Sequence, residues 1–181
     1  MVLKAHRWAA RSIAVAILAS VGACLGTSPP PRLPVPAPVV VVVHLERADG
    51  DAVAVPDAVW QAIAGTLRAR NLEPTRLDDG VLGPARTSEA RLEALRAAHR
   101  DASWLVLIEA RARFFSQLSG RYRWEVEVRS SVIAPGGQSQ SDLSVAAFLP
   151  FEREREPEAL AFVRPQLAED LGALVDRLIA R

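Results

Sequence analysis

Beyond residue 24, the side chains best suited to chemistry are two histidines, His44 and His99, and an adjacent acidic pair, Asp78 and Asp79. The chain has one cysteine, Cys24, so an intramolecular disulfide and a cysteine-based metal site are both excluded. His44 sits at the end of an apolar run. A half-buried histidine there serves structure more often than acid–base catalysis, and both roles stay open. His99 continues the apolar row of a helix and reads as a packing residue. Asp78 and Asp79 offer oxygens to a cation, but Asp-Gly is ordinary turn chemistry and no ligand cluster accompanies them. The spacings G-x-S-x-G, H-E-x-x-H, Walker A and G-x-G-x-x-G, which expose a nucleophile, bind zinc or cradle phosphate, do not occur. Trp60, Trp104 and Trp124 fall on apolar faces and read as core rather than as a ligand platform. The inventory implies no catalytic residue, no metal and no cofactor, so the chain is read as not an enzyme.

The place of Cys24 suggests what it does. Lys4, Arg7 and Arg11 form a basic stretch, Ser12 to Ala23 is apolar, and Val21-Gly22-Ala23 precedes the cysteine. At about 1.5 Å per residue the apolar run is too short for a bilayer core of about 30 Å, so it is a processing segment and not a span. The pattern resembles a lipoprotein signal with its lipobox. That resemblance implies transfer of a diacylglycerol to the Cys24 thiol and cleavage before it, with Val21, Gly22 and Ala23 as the peptidase recognition residues. The alternative is an ordinary secretory signal with Cys24 incidental; either way the domain is exported. Leu25 stands where aspartate commonly marks inner-membrane retention, so the analogy implies a lipid anchor in the outer membrane facing the periplasm. A further acyl chain would make the anchor durable, since a single chain holds only marginally.

Three parts are expected: a signal peptide over 1–23, the lipidated cysteine with a tether over 24–38, and a periplasmic α/β domain over 39–181. Residues 25–38 read LGTSPPPRLPVPAP, with six prolines that favour polyproline II. At about 3.1 Å per residue such a tether reaches about 40 Å. It reads equally as a spacer toward a partner and as a solvated linker. The chain carries 22 basic and 21 acidic residues, net +1. Loss of the signal leaves the domain slightly acidic, which argues against a nucleic-acid partner.

The domain pattern opens with Val39 to Leu45, an apolar β-branched run that reads as a buried strand. Val59, Trp60, Ile63, Ala64 and Leu67 share a helical face that ends near Asn71. Residues 72–77 form a short edge strand weakened by Pro74. A second helix carries Leu92, Leu95 and Ala98, with Thr87 or Ser88 placed to cap it. The closing helix places Leu167, Leu171, Leu174, Val175 and Leu178 on one side, and Pro165 starts or kinks it.

Charges set the register of the strands between. A three-residue loop Leu118-Ser119-Gly120 pairs Arg113 with Glu125, Arg111 with Glu127, Glu109 with Arg129 and Phe114 with Trp124. A shift of two residues sets like charges opposite one another. The turn APGG at 134–137 then pairs Val128 with Leu143, Val126 with Val145 and Trp124 with Ala147, and sets Asp142 beside Arg129. The resulting charged stripe reads as a solvated face whose charges pair internally. Val40, Val42, Leu105 and Leu107 are apolar on that same side, so a helix or a partner must cover them. The fold class is α/β (α+β): a mixed sheet of about four to five strands with a C-terminal meander and three helices, in the order β-α-(β)-α-β-β-β-α.

That order, with HRDASWLVLIEARARF followed by GRYRWEVEVRSSVIAPGG, resembles the periplasmic α/β domains of the curli-secretion lipoprotein, the lipoprotein activator of penicillin-binding proteins and the N-terminal domain of the Tol translocation protein. The resemblance covers residues 39–181 and lies in pattern. It implies a lipoprotein acting non-catalytically as a scaffold or activator in envelope assembly or secretion. Its expected partners are the membrane, through the anchor, and an envelope protein, and a homo-oligomer is compatible with the reading. The curli pore's pair of long amphipathic segments is lacking, which argues against a pore. The alternative is an auxiliary lipoprotein of an envelope lipid-transport system, with an envelope hydrolase third.

Overall fold

The computed structural model describes residues 29–47, 50–118, 120–150 and 156–181, so Cys24, the expected lipidation residue, and Val21, Gly22 and Ala23, the expected peptidase recognition residues, lie outside the described residues. β1 (Ala37–Glu46) forms the middle of a six-stranded mixed sheet, where its valine run is buried on both faces. On one flank it pairs in parallel with β3 (Leu72–Leu77) and, beyond that, antiparallel with the two-residue β2 (Ala52–Val53). On the other flank it pairs in parallel with β4 (Trp104–Leu118). β5 (Arg121–Ala134) and β6 (Gly137–Leu149) complete an antiparallel meander.

The connections explain the layers. The chain passes from β1 to β3 through α1 (Asp57–Arg68), then crosses back over β1 to β4 through α2 (Ser88–Ala98). Right-handed crossovers running in opposite directions place their helices on opposite faces. α1 buries Val59, Ile63, Ala64 and Leu67 in the larger core, together with α3 (Glu156–Phe162) and α4 (Arg164–Ile179). α2 and a 3₁₀ turn at Asp79–Leu82 cover the other face, where Leu82, Leu92 and Leu95 meet Val42, Leu105 and Leu107. The apolar patch expected to need a cover is therefore covered by a helix of the chain itself. Burying Leu92 and Leu95 contributes about 1.5–3 kcal/mol each.

Thr87 caps α2, its hydroxyl accepting from the Ala90 N–H at 3.2 Å. Ala98, expected on the buried row, is exposed, because at about 100° per residue it points about 90° away from the mean direction of Leu92 and Leu95, while His99, which returns to that side, is the half-buried C-cap. The closing segment is two helices, α3 and α4, and not one. Val163 breaks them, and Pro165, with no N–H to donate, stands in the first turn of α4. The five apolar residues expected on its core side are all buried.

The meander takes the expected register from Glu109 opposite Arg129 to Phe114 opposite Trp124, and from Val128 opposite Leu143 to Trp124 opposite Ala147. Past Phe114 it departs from expectation. Ser116 pairs with Arg123 and Leu118 with Arg121, so the connection has two residues and the extra one becomes a bulge at Phe115. The Arg123 guanidinium lies 4.4 Å from the Phe115 ring, which gives the bulged side chain a partner. Gly120 has φ 75°, the left-handed conformation expected for it.

At the N-terminal end, the chain is fastened before β1 begins. Leu33 donates its N–H to Arg70 C=O at 3.1 Å and accepts at its C=O from Asn71 Nδ2 at 2.7 Å, and Ala37 donates to Asn71 C=O at 3.0 Å. Asn71 holds φ 60°, a turn that asparagine tolerates. Beside it, Arg70 makes a two-pronged ion pair with Asp176 of α4, at 2.6 and 2.8 Å, tying α1 to α4.

Candidate functional site: a charged cleft beside α2

α2 is too short to cover the whole second face of the sheet. Beside its first turn the strands turn from apolar to charged, and a cleft of about 530 Å³ opens between the start of α2, the C-terminal end of β1 and the meander. Its floor is two rows of register partners. One row runs His44, Glu109, Arg129, Asp142 across β1, β4, β5 and β6, and the next runs Glu46, Arg111, Glu127, Ser144. Sign alternates through Glu109, Arg129 and Asp142 in one row and through Glu46, Arg111 and Glu127 in the other, the arrangement that cross-strand neighbours favour.

The position follows from topology as well as from side chains. The connection from β1 goes to one flank and the next lands on the other, so the switch in strand order lies between β1 and β4. Open α/β sheets form their crevices at the carboxyl ends of the strands at such a point. His44 and Glu109 face each other there.

Arg91 of α2 organises the inner end of the cleft. Its guanidinium donates to Glu109 Oε1 at 3.0 Å, to Glu46 Oε2 at 3.4 Å and to Ala85 C=O at 3.1 Å. Glu109 is only 9% exposed, and its Oε2 has no hydrogen-bond partner among the described residues. His44 donates Nδ1–H to Asp79 at 2.9 Å, which leaves Nε2 as the ring nitrogen not engaged with that carboxylate. That nitrogen also lacks a hydrogen-bond partner among the described residues, Glu46 being 4.0 Å away.

At the outer end, Arg129 donates to Asp142 at 2.6 Å and to Ser88 Oγ at 3.2 Å. The hydrogen bond that Arg129 donates to Asp142 raises the Arg129 pKa above its ordinary value; burial opposes this, and the charges of Asp142 and Glu109 add to it. Ser88, a hydroxyl of the cleft, thus accepts from an arginine.

The charged stripe is therefore not simply a solvated face. Arg113 and Glu125 do pair across the strands at 2.9 Å. Glu109, however, takes its ion pair from the helix and not from Arg129, because α2 brings Arg91 over it and leaves Arg129 to Asp142. His44 joins the cleft and His99 does not. Asp78 caps the 3₁₀ turn by accepting from Gly80 N–H at 2.8 Å, while Asp79 holds His44. Among the described residues, no group of three or more histidine, cysteine, aspartate or glutamate side chains is placed to hold a metal ion. Trp104 and Trp124 are buried, and Trp60 is half-buried with the Arg76 guanidinium 5.7 Å from its ring. The sequence reading missed Arg91 and the burial of Glu109. The available signal was an arginine next to Leu92, on a helix needed to cover the apolar patch.

No protein-family model matches the chain, and no curated protein matches it. Several solved structures are similar. A hypothetical protein from Chlamydia trachomatis shares 14% identity over 79% of this chain and 98% of its own, with a TM-score of 0.44. Lipoprotein GNA1162 from Neisseria meningitidis shares 14% over 76% and 99%, at 0.42, and a minor lipoprotein from Acinetobacter baumannii 11% over 76% and 92%, at 0.37. Two of these three are bacterial lipoproteins. Likeness at this distance carries no functional argument.

Proposed function

We propose that this chain is an outer-membrane lipoprotein, anchored through Cys24 and facing the periplasm, whose domain scaffolds or activates envelope assembly or secretion machinery by binding it. The observation that carries the binding role is the cleft beside α2. Its acids and bases are cross-locked by Arg91 and Arg129, so it presents a preformed polar surface of alternating sign at the topological switch point. A protein segment with complementary charges suits that surface, and electrostatic complementarity gives such a contact its selectivity.

A non-catalytic role is supported by how the polar groups are used. Arg91 holds Glu109 and Glu46, and Arg129 holds Asp142, so these acids of the cleft are engaged in ion pairs. The charged walls give little support to the lipid-transport alternative, which requires an apolar groove. The anchor rests on Lys4, Arg7 and Arg11, the apolar run and Val21-Gly22-Ala23-Cys24, and the proline-rich residues after it supply the reach.

Crosslinking and affinity isolation from intact cells, comparing the native chain with Cys24→Ser and with a variant of the exposed cleft residue Glu127, Glu127→Arg, tests the proposal. Envelope proteins that co-isolate with the native chain, lose the contact on Glu127→Arg, and lose membrane fractionation on Cys24→Ser are the expected result. Bound phospholipid without protein partners overturns the scaffold in favour of lipid transport, and unchanged fractionation of Cys24→Ser overturns the anchor.

A further inference from the structure

The two edges of the sheet are finished differently. On one, β3 has six residues including Pro74, Glu73 and Arg76, and shares its flank of β1 with β2. Short length, proline and charge are how edge strands avoid pairing. On the other, β6 runs for 13 residues as GQSQSDLSVAAFL, with Asp142 its one charge and no proline. Among the described residues it pairs with β5 alone.

The hairpin determines which backbone groups β6 leaves over. Ala134 and Gly137 are the register partners that close the turn Pro135-Gly136. In a two-residue hairpin that closing pair exchanges its N–H and C=O groups. Alternation then turns the odd-numbered residues of β6 toward β5. The backbone groups of Gln138, Gln140, Asp142, Ser144, Ala146 and Phe148 face away, along the open edge.

We propose that this edge pairs with the same edge of a second copy of the chain, antiparallel about a twofold axis at Leu143, so that two sheets become one. Such a contact is isologous and closes on itself. Leu143 is the midpoint of Gly137–Leu149, so this register engages the strand over its full length. It sets Asp142 opposite Ser144, whose hydroxyl donates to the carboxylate. Moving the axis to Asp142 would instead set two carboxylates face to face. On the helix side, Leu143, already packed against the larger core, meets its own copy. Asp142 and Ser144, on the opposite face, form the outer wall of the charged cleft, so the pairing joins the clefts of the two copies across the axis.

The full chain carrying Cys24→Ser, purified in a non-denaturing detergent, tests this by sedimentation and disulfide trapping. Leu143→Cys lies on the axis in a non-hydrogen-bonded pair, whose Cα separation of about 4.5 Å suits a disulfide. Ser139→Cys lies opposite Ala147 and serves as its control. The expected results are a dimer, trapping at least about tenfold faster at 143 than at 139, and a dimer dissociation constant weakened at least about tenfold by Ser144→Pro with unchanged circular dichroism. Ser144→Pro removes an outward N–H without touching the ladder to β5. A monomer at about 100 μM, or equal trapping at 143 and 139, overturns the proposal. Should Ser144→Pro fail to fold, the trapping comparison decides alone.

Discussion

Replacing Arg91 by alanine tests the reading of the cleft as a locked ionic structure. The change removes three hydrogen bonds at once, to Glu109, Glu46 and Ala85. Glu46 is 25% exposed and water replaces much of what it loses. Glu109 is 9% exposed, already has one oxygen without a hydrogen-bond partner, and is left as a buried carboxylate with no guanidinium. Breaking a buried pair by removing one partner costs about 3–5 kcal/mol. For a domain of this size each kcal/mol lowers the melting temperature by about 2–4 °C, so Arg91→Ala is expected to lower it by about 6–20 °C. Urea unfolding supplies the free energy. The control is Glu109→Gln: combined with Arg91→Ala it restores part of the loss, giving a coupling energy of about 1–3 kcal/mol. A loss below about 1 kcal/mol, or an additive double variant, refutes the claim that Arg91 and Glu109 form one buried unit.

Three further outcomes follow from local geometry. A Cβ on Gly172 would stand 2.6 Å from Arg70 Nη2 and 3.1 Å from Cζ, so Gly172→Ala displaces the guanidinium from Asp176; it should cost about 1–3 kcal/mol in urea unfolding and add little in an Asp176→Asn background. Thr87→Ala removes the α2 cap and should cost about 1 kcal/mol, with earlier amide exchange in α2. The raised pKa of Arg129 means its contribution is fully present below the ordinary arginine pKa and lost only as alkali carries the pH through the raised value. The stability difference between native chain and Arg129→Met should therefore be equal at pH 7 and pH 10, and a difference that shrinks between them contradicts this.

The register of the meander was legible because charge made it so. With Glu109, Arg111, Arg113 on one strand and Glu125, Glu127, Arg129 on the next, only one local alignment avoids like charges, and the chain adopts it through Phe114. The bulge beyond was not legible, since alternation alone does not say which of two adjacent phenylalanines is extra. The need for a cover over Val42, Leu105 and Leu107 could be read from the strands, and α2 supplies it. What could not be read was where over the sheet α2 begins. That placement brings Arg91 over Glu109 and makes part of the charged stripe the floor of a cleft. His44 ends the first strand as expected, but its partner Asp79 lies 35 residues away in a turn whose position only the tertiary fold sets.

The clamp of Leu33 and Ala37 on Arg70 and Asn71 has a mechanical meaning. A load arriving through the proline-rich residues reaches first a short knot of hydrogen bonds and then β1, the middle strand of the sheet. β1 is held by a ladder to β3 over Ala37–Val42 and by one to β4 over Val39–Glu46. Tension along that axis shears all of those bonds together; it cannot peel them one at a time. Under the proposed anchor, a pull on the chain before β1 enters the domain through the middle strand of its sheet and passes to both flanking strands.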